Sequence, residues 1–250
     1  MQKPKISIIT ANHNSEKFIR MTIESVLAQT HKDWEMIIID DQSDDNAVVI
    51  IEQYCLQDKR IKLLKNETNM GPAKTRNKGL NIAQGRYICF LDSDDIWYDS
   101  FLEASISYLE QNNVKFVFSS YDRKDETLQK DNGTFYVPEK VSYDDLLKTC
   151  PISCLTAMYD TDGIGKVLMP DILKRQDFAL WLQILKKVPY AYGMHEPMAI
   201  YRMRENSVSR NKLLAAKYQW IVYRNVEQLS LIKSCIALCQ WAFYGFKKYY

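Results

Sequence analysis

The chain contains the nonapeptide Tyr87-Ile-Cys-Phe-Leu-Asp-Ser-Asp-Asp95, which joins a largely apolar run directly to three carboxylates. An apolar run of about four to eight residues is typical of a strand that is buried on both faces of a sheet. Carboxylates that follow such a strand lie at its carboxyl end, which is where open parallel α/β sheets bind their ligands. The nonapeptide therefore predicts a buried strand that leads into a ligand-binding site.

Three similar apolar runs precede the nonapeptide, and helical patterns separate them. Ile19, Ile23, Val26 and Leu27 repeat at helical spacing after the first run. A later helix is entered through Pro72, a residue that suits the first helical turn. Strands that alternate with helices are typical of βαβ units and of a parallel sheet covered on both faces, so we predict an α/β fold. The three runs lie at residues 6–10, 35–39 and 61–64.

The second half of the chain is less regular. Residues 115–119 are apolar enough for a fifth strand, and Asp131-Asn132-Gly133 predicts the turn of a β-hairpin. An apolar helical face begins at Asp177, residues 192–201 have an extended pattern, and the chain is predicted to be mostly helical from about Leu213 onward.

The composition is that of an ordinary globular protein. The 250 residues are 46% hydrophobic and 26% charged, with a formal net charge of +2, which excludes a disordered or collagen-like chain. Charge is uneven, because residues 202–250 carry nine basic residues against two acidic ones, whereas residues 1–201 carry 24 against 29. No nucleic-acid-binding motif accompanies the basic tail, so we expect no nucleic-acid partner.

Carboxylates follow two of the predicted strands. Asp40 and Asp41 come after the second run, and Asp92, Asp94 and Asp95 come after the fourth. The carboxyl ends of parallel strands meet at one edge, so we expect these five side chains to converge there. Close carboxylates repel each other unless a cation lies between them. Mg²⁺ or Mn²⁺ suits oxygen ligands and commonly combines one or two carboxylates with substrate phosphates, which makes Asp92 and Asp94 candidate ligands.

Other phosphate-binding motifs do not fit this edge. The sequence has no P-loop motif, and no Gly-x-Gly-x-x-Gly follows the first strand. A hydrolase with a nucleophilic Asp would carry its Asp pair after the first strand, whereas here the pair follows the fourth. The helix that begins at Gly71-Pro72 would instead present its N-terminus to an anion, and Arg76 adds a planar donor suited to a phosphate or a base carbonyl.

With these residues in place, the sequence resembles the family 2 glycosyltransferases of the GT-A fold over about residues 5–210. The pattern is most similar to that of bacterial enzymes of capsule, teichuronic acid or O-antigen assembly. The matching motifs lie at residues 7–12, 25–30, 34–44, 71–79, 90–95, 177–181 and 201–209.

The resemblance implies a binding site for a nucleotide base. Asp41 would contact the uracil of a UDP-sugar, with Arg76 nearby. The backbone around Thr10 and Asn12 would line the pocket for the base.

The resemblance also implies residues for the diphosphate and for the chemistry. Asp92 would face the ribose and the metal, with Ser93 in the same nucleotide-sugar site. Asp94 would be the principal protein ligand of Mn²⁺ or Mg²⁺. Asp177 matches the catalytic base of the family; the alternative from its position alone is an N-cap of the helix that follows.

For the architecture, the resemblance implies a Rossmann-like nucleotide-binding half with a mixed, mainly parallel sheet, followed by an acceptor-binding half. We place the GT-A domain at residues 1–210, with its halves at 1–98 and 99–210. A helical C-terminal extension would occupy residues 211–250.

For the activity, the resemblance implies inverting, metal-dependent transfer of a single sugar from a nucleotide sugar, with UDP favoured, to a hydroxyl of a glycan or lipid-linked acceptor. The Gln-x-x-Arg-Trp motif of processive synthases is absent, which favours a single transfer. Gln176 stands where the family often has Glu. Two alternatives stay open: a nucleotidyltransferase or phosphohydrolase that uses the same carboxylates, and a non-catalytic scaffold of a polysaccharide assembly complex.

The C-terminal segment combines apolar and basic residues. Lys233 is the only charged residue between Leu231 and Phe246, but these 16 residues are fewer than the roughly 20 that span a bilayer. Two interpretations stay open: a helix packed on the domain, and a peripheral anchor at a membrane surface. No secretory signal is evident, so we expect a cytoplasmic protein whose contact with the inner face of the membrane, where it exists, is peripheral.

Overall fold

The structure is a computed structural model that describes residues 4–204 and 212–249. Its first part alternates strands with helices as the apolar runs predicted, because each run is bounded by polar residues and by helical patterns. The elements of this part are β1 (Ile6–Asn12), α1 (Ile19–Leu27), β2 (Trp34–Asp40), α2 (Ala47–Gln57), β3 (Ile61–Lys65), α3 (Pro72–Ile82) and β4 (Tyr87–Phe90).

The second part mixes short strands with helices of different length. Its elements are β5 (Ile96–Trp97), α4 (Phe101–Gln111), β6 (Phe116–Asp125), β7 (Asp131–Phe135), β8 (Lys140–Val141), α5 (Tyr143–Lys148), a 3₁₀ turn (Cys154–Thr156), β9 (Met158–Asp160), α6 (Thr161–Ile164), α7 (Gln176–Leu185) and β10 (Ala191–Met203). The chain then continues into α8 (Lys212–Ile221), a π-helical turn (Val222–Val226) and α9 (Leu231–Tyr249).

The strands form one sheet, with the order β3-β2-β1-β4-β9-β6-β10-β5. The four strands of the first part are parallel to one another, and β6 and β10 are also a parallel pair. β9 is antiparallel to both β4 and β6, so it joins the two parallel groups. The predicted α/β fold with a mixed, mainly parallel sheet is therefore confirmed.

Two apolar clusters cover the two faces of this sheet, because successive strand residues point to opposite sides. On β2, Met36 and Ile38 pack with residues of α1, α2 and α4. Ile37 and Ile39 of the same strand pack with residues of α3 and α7 on the other face. All seven residues of β2 are buried, which explains why the strand has a continuous apolar pattern.

The predicted hairpin exists, but its turn lies elsewhere. Residues 126–130 connect β6 to β7, and Asp131-Asn132-Gly133 forms the start of β7. The carboxylate of Asp125 fixes the observed turn, since it accepts hydrogen bonds from the Thr127 hydroxyl (2.7 Å) and the Lys130 backbone (2.9 Å). A side chain that accepts bonds from the following backbone competes with the Asn-Gly turn signal, so the predicted turn position was wrong.

The C-terminal part is helical, as predicted. The π-helical turn is anchored in the core, because Val222 and Tyr223 are fully buried. One face of α9 packs on the domain, and α5 and α8 lie against it. In the part of the chain that the structure describes, we find no helix with the length and apolarity needed to cross a bilayer.

Candidate functional site

A cavity of about 810 Å³ lies at the carboxyl ends of β1, β2 and β4. One wall comes from the strand ends and carries the carboxylates of Asp41, Asp92 and Asp94. A second wall comes from the segment that leads into α7, together with β10, the residue after it and α8. Its residues are Leu173, Lys174, Arg175, Gln176, Asp177, Tyr201, Arg204 and Ala215.

The five predicted carboxylates do not all converge on this cavity. Asp40 is buried and accepts hydrogen bonds from the Asn12 amide (2.7 Å) and the Ser43 hydroxyl (2.5 Å). Asp95 is 2% exposed and accepts a bond from the backbone of Arg202 (2.9 Å). Both carboxylates hold loops in place, so the prediction was wrong for these two residues.

The loop after β4 presents Asp92, Ser93 and Asp94 to the cavity. The hydroxyl of Thr22 in α1 fixes this loop, because it donates hydrogen bonds to the carbonyls of Ser93 (3.1 Å) and Asp95 (2.9 Å). The loop that carries the two cavity-facing carboxylates is thus held through its backbone carbonyls.

Each of these carboxylates faces an arginine. Arg76 donates to Asp92 at 2.5 Å, and Arg204 donates to Asp94 at 3.1 Å. Burial and the neighbouring charge of Asp92 raise the pKa of Asp94, although Arg204 opposes the shift. Arg76 is 8% exposed, and its Nη1 has no hydrogen-bond partner among the residues that the structure describes. This arrangement leaves a buried cationic donor unpaired at the cavity.

The structure places the residues predicted for the base at different depths. Asp41 lines the cavity, together with Ala11 and His13. Asn12 also lines it, but its amide binds Asp40 and its side-chain oxygen accepts a bond from Ser15. Thr10 is fully buried and does not reach the cavity.

Asp41 holds the start of α3. Its carboxylate accepts hydrogen bonds from the Asn66 amide (2.8 Å) and from the backbones of Met70 (2.8 Å) and Gly71 (2.9 Å). Burial opposes ionisation, but these hydrogen bonds outweigh it and lower the pKa of Asp41. The ionised carboxylate therefore stabilises the loop before α3 while one edge of the residue borders the cavity.

We expect Asp41→Asn to lower the free energy of unfolding by about 1–3 kcal/mol at pH 7, since the amide would face a backbone donor. The folded pKa is lowered, so the stabilisation by Asp41 is complete above the unfolded pKa of about 3.9 and disappears as the pH falls through the folded value. Urea unfolding from pH 7 to pH 3 measures this difference, which should shrink below about pH 4. The exposed Asp44→Asn is the control, and an equal loss in both variants would contradict the expectation.

Asp177 lies in the first turn of α7 and lines the cavity. The N-cap of α7 is Arg175, which has a left-handed backbone (φ 65°), so the alternative interpretation of Asp177 as the N-cap was wrong. Burial lowers the pKa of Arg76, but the charges of Asp92 and Asp177 outweigh it, so the guanidinium stays protonated.

Hydrogen bonds hold the segment before α7 against α3. The Asn77 side chain donates to the Met169 carbonyl and accepts from the Met169 backbone N–H, both at 2.8 Å. Lys74 also forms an ion pair with Asp171 at 3.1 Å, but both side chains are largely exposed, so this pair contributes little. The Asn77 contacts position the wall that carries Asp177 relative to the wall that carries Asp92.

The oxygen atoms at the cavity fit a divalent cation. Within the described ranges, no three His, Cys, Asp or Glu side chains form a closed metal cage. Mg²⁺ and Mn²⁺ do not require one, because substrate phosphates and water complete their coordination. Asp92 and Asp94 line the same cavity, and the charge of Asp92 raises the pKa of Asp94, a repulsion that a bound cation would relieve.

Sequence reasoning missed several residues of the site. His13 lines the cavity, with its Nδ1 2.9 Å from the carbonyl of Asp41. Its position directly after β1 was the signal that could have found it. Lys174 and Arg175 lie in no motif, and only the folded chain brings them to the cavity. Arg204 lies in the matching stretch 201–209, but the resemblance gave it no role.

Comparisons with known proteins agree with this geometry. The model of Glycosyl transferase family 2 matches residues 7–159. The chain is 43% identical over 251 residues to TuaG of Bacillus subtilis (strain 168), whose name assigns it to glycosyl transfer in teichuronic acid biosynthesis; 98% of each chain is covered. It is 40% identical over 220 residues to WfgD of Escherichia coli, a UDP-Glc:alpha-D-GlcNAc-diphosphoundecaprenol beta-1,3-glucosyltransferase, with 87% of this chain and 84% of WfgD covered.

Two solved structures share the fold. Residues 1–349 of TarS from S. aureus, in complex with UDP-GlcNAc, superpose with a TM-score of 0.73 at 20% identity, covering 95% of this chain and 71% of that one. The mannosyltransferase PcManGT from Pyrobaculum calidifontis, in complex with GDP-Man and Mn²⁺, gives a TM-score of 0.70 at 12% identity, covering 97% and 74%. With its GT-A fold, the family match and the full-length similarity, the chain belongs to glycosyltransferase family 2.

Proposed function

We propose that the enzyme transfers a single sugar, with inversion of configuration, from a UDP-sugar to a hydroxyl of a lipid-linked saccharide in cell-surface polysaccharide assembly. The observation that carries the proposal is the cavity itself. It brings Asp92, Asp94 and Arg76 together on one wall and Asp177 on the other. Groups for a nucleotide diphosphate thus face a carboxylate that can accept a proton.

The choice of donor and acceptor rests on the relatives. WfgD is named for UDP-Glc and for an acceptor linked to diphosphoundecaprenol, and TuaG for teichuronic acid. TarS binds UDP-GlcNAc, whereas PcManGT, which is less similar in sequence, binds GDP-Man. These names favour a uridine nucleotide here, with Asp41 and the backbone of residues 11–13 at the base.

The donor site would use charge to hold the leaving group. Asp94 and Asp92 would hold a Mn²⁺ or Mg²⁺ ion, which when bound supplies Lewis-acid stabilisation of the departing diphosphate. Arg76 contributes a fixed positive charge beside the cavity, which stabilises the negative charge of the leaving group. A donor that is already in position costs little reorganisation as negative charge develops.

In the transfer step, the acceptor oxygen forms a bond to the anomeric carbon while the bond from that carbon to the diphosphate oxygen breaks. The proton of the acceptor hydroxyl passes to the carboxylate of Asp177. Attack from the side opposite the leaving group inverts the configuration. The hydrogen bonds between Asn77 and Met169 hold the segment before α7, which keeps Asp177 at a fixed position for this transfer.

A test is an assay with UDP-Glc, UDP-GlcNAc and UDP-Gal, Mn²⁺, and GlcNAc-diphosphoundecaprenol as the acceptor. We expect acceptor-dependent release of UDP and a product one sugar heavier, detected by mass spectrometry. NMR of the product should show the anomeric configuration opposite to that of the donor. Release of phosphate or pyrophosphate in place of UDP, or retention of configuration, would contradict the proposal.

A further inference from the structure

Six of the exposed residues of α9 form an apolar face. They follow helical spacing and span about 17 Å along the axis. Ile232 is 73% exposed, Ile236 is 54% exposed and Phe243 is 66% exposed. The face consists of Ile232, Cys235, Ile236, Cys239, Ala242 and Phe243.

The inward face of the same helix already has its partners. Ser234 and Ala237 are buried, and the Ser234 hydroxyl donates to the carbonyl of Ser230 at 3.0 Å. Trp241 lies against the guanidinium of Arg175, 5.4 Å from its ring. The helix is therefore docked on the domain by one side, and the apolar side opposite is left without a partner in the described ranges.

The C-terminal segment that carries this face is basic. Residues 212–250 contain six basic residues and one acidic residue, Glu227. Glu227 is buried and forms an ion pair with Lys186 at 2.7 Å, so it adds no exposed negative charge. Lys217 and Lys233 are both exposed. An apolar stripe beside exposed cations is complementary to a lipid surface that contains anionic headgroups.

A second copy of the chain fits this face less well. A stable protein interface buries about 800 Å² on each partner. A stripe about 17 Å long on a helix about 10 Å wide has a footprint of only about 170 Å², and two cysteines and an alanine contribute to it. A lipid surface has no such minimum area, because the apolar side chains insert individually.

We propose that α9 docks on an anionic lipid surface through this apolar face. The contact between Trp241 and Arg175 joins the docked helix to the cavity, since Arg175 lines the cavity and caps α7. Docking thus brings the wall that carries Asp177 to the surface from which a lipid-linked acceptor extends. This last point rests on the proposed function, whereas the docking itself does not.

The test is co-sedimentation of the full chain with vesicles of phosphatidylcholine alone or with 30% phosphatidylglycerol, on the order of the anionic content of a biological membrane. We expect sedimentation with the anionic vesicles and its loss at high salt. The double variant Ile236→Glu/Phe243→Glu should lose roughly tenfold or more of this binding.

A matched control variant carries two introduced glutamates on another helix, α2. Val49 and Leu56 of α2 are 53% and 77% exposed, so Val49→Glu/Leu56→Glu should bind vesicles as the unmodified chain does. Circular dichroism and UDP binding, both without vesicles, check that each variant is folded, and they separate a failure of docking from a failure of the proposed function.

Three results would overturn the proposal: an unmodified chain that stays in the supernatant with both vesicles, an α9 variant that sediments fully, and an equal loss in the control. Light scattering measures the molar mass and so tests whether two copies of the chain associate through this face. A dimer that the α9 substitutions convert to a monomer would assign the face to self-association and overturn docking on lipid.

Discussion

We expect Asp177→Asn to lower kcat by about 10²- to 10⁴-fold, which is the usual contribution of a positioned general base. The amide has nearly the same shape as the carboxylate but cannot accept the proton of the acceptor hydroxyl. Asp177 has no place in the proposed binding of the diphosphate and metal, so binding of UDP should change little. Steady-state release of UDP measures the loss, and titration calorimetry measures the binding.

The control for this variant lies a few residues away. Asp171 carries a 68% exposed side chain that pairs with Lys74, and it does not line the cavity. Asp171→Asn should therefore retain full turnover. An Asp177→Asn enzyme with unaltered kcat would remove Asp177 from the chemistry, whereas a joint loss of turnover and of UDP binding would mean that the residue positions the donor.

Trp181→Ala lowers the free energy of unfolding by about 3–5 kcal/mol, the range for deletion of a fully buried large aromatic side chain. Trp181 is fully buried in α7, and its ring lies 5.9 Å from that of Phe90 and 5.3 Å from that of Phe116. The substitution would leave a cavity between the sheet and the helix that carries Asp177. Because a chain of this size shifts by about 2–4 °C per kcal/mol, we expect Tm to fall by about 6–20 °C.

Trp181→Phe is the matched control for this prediction. It retains an aromatic ring against Phe90 and Phe116 and removes an indole N–H that has no partner among the described residues. We expect a loss of about 1.5 kcal/mol or less, as for substitutions that largely conserve volume. Scanning calorimetry distinguishes the two variants. Equal Tm values for both would show that α7 does not depend on this packing.

The strands of the first part could be predicted because burial on both faces makes each one a continuous apolar run. β2 illustrates this, since all seven of its residues are buried. β9 has only three residues and no preceding turn signal, and it exists because it fits between β4 and β6. Such a strand is specified by its neighbours in space, so the local sequence does not reveal it.

The site could be predicted only in part, for a similar reason. Parallel strands place their ends at one edge, and this rule located Asp41, Asp92 and Asp94. The rule says nothing about side-chain direction, which depends on local donors such as Ser43 for Asp40 and the Arg202 backbone for Asp95.

The wall that carries Arg175, Asp177 and Arg204 depends on contacts between distant parts of the chain. Arg175 belongs to the segment that Asn77 pins in place, and Arg204 pairs with Asp94 across 110 positions of the sequence. Neither relation leaves a local pattern. The family resemblance located Asp177, but it could not show which basic residues would surround the carboxylates of this chain.

Thermal unfolding with UDP is the most direct test of a metal-dependent donor site at Asp92 and Asp94. A ligand at about 100 times its Kd stabilises by ~2.7 kcal/mol, which at ~2–4 °C per kcal/mol raises Tm by roughly 5–11 °C. We expect this rise with UDP and Mn²⁺, a smaller one with GDP, and little with EDTA. It should vanish in Asp94→Ala and persist in the exposed control Asp99→Ala. A Tm that UDP leaves unchanged, or raises equally in EDTA and in Asp94→Ala, would contradict a metal-dependent donor site at these carboxylates.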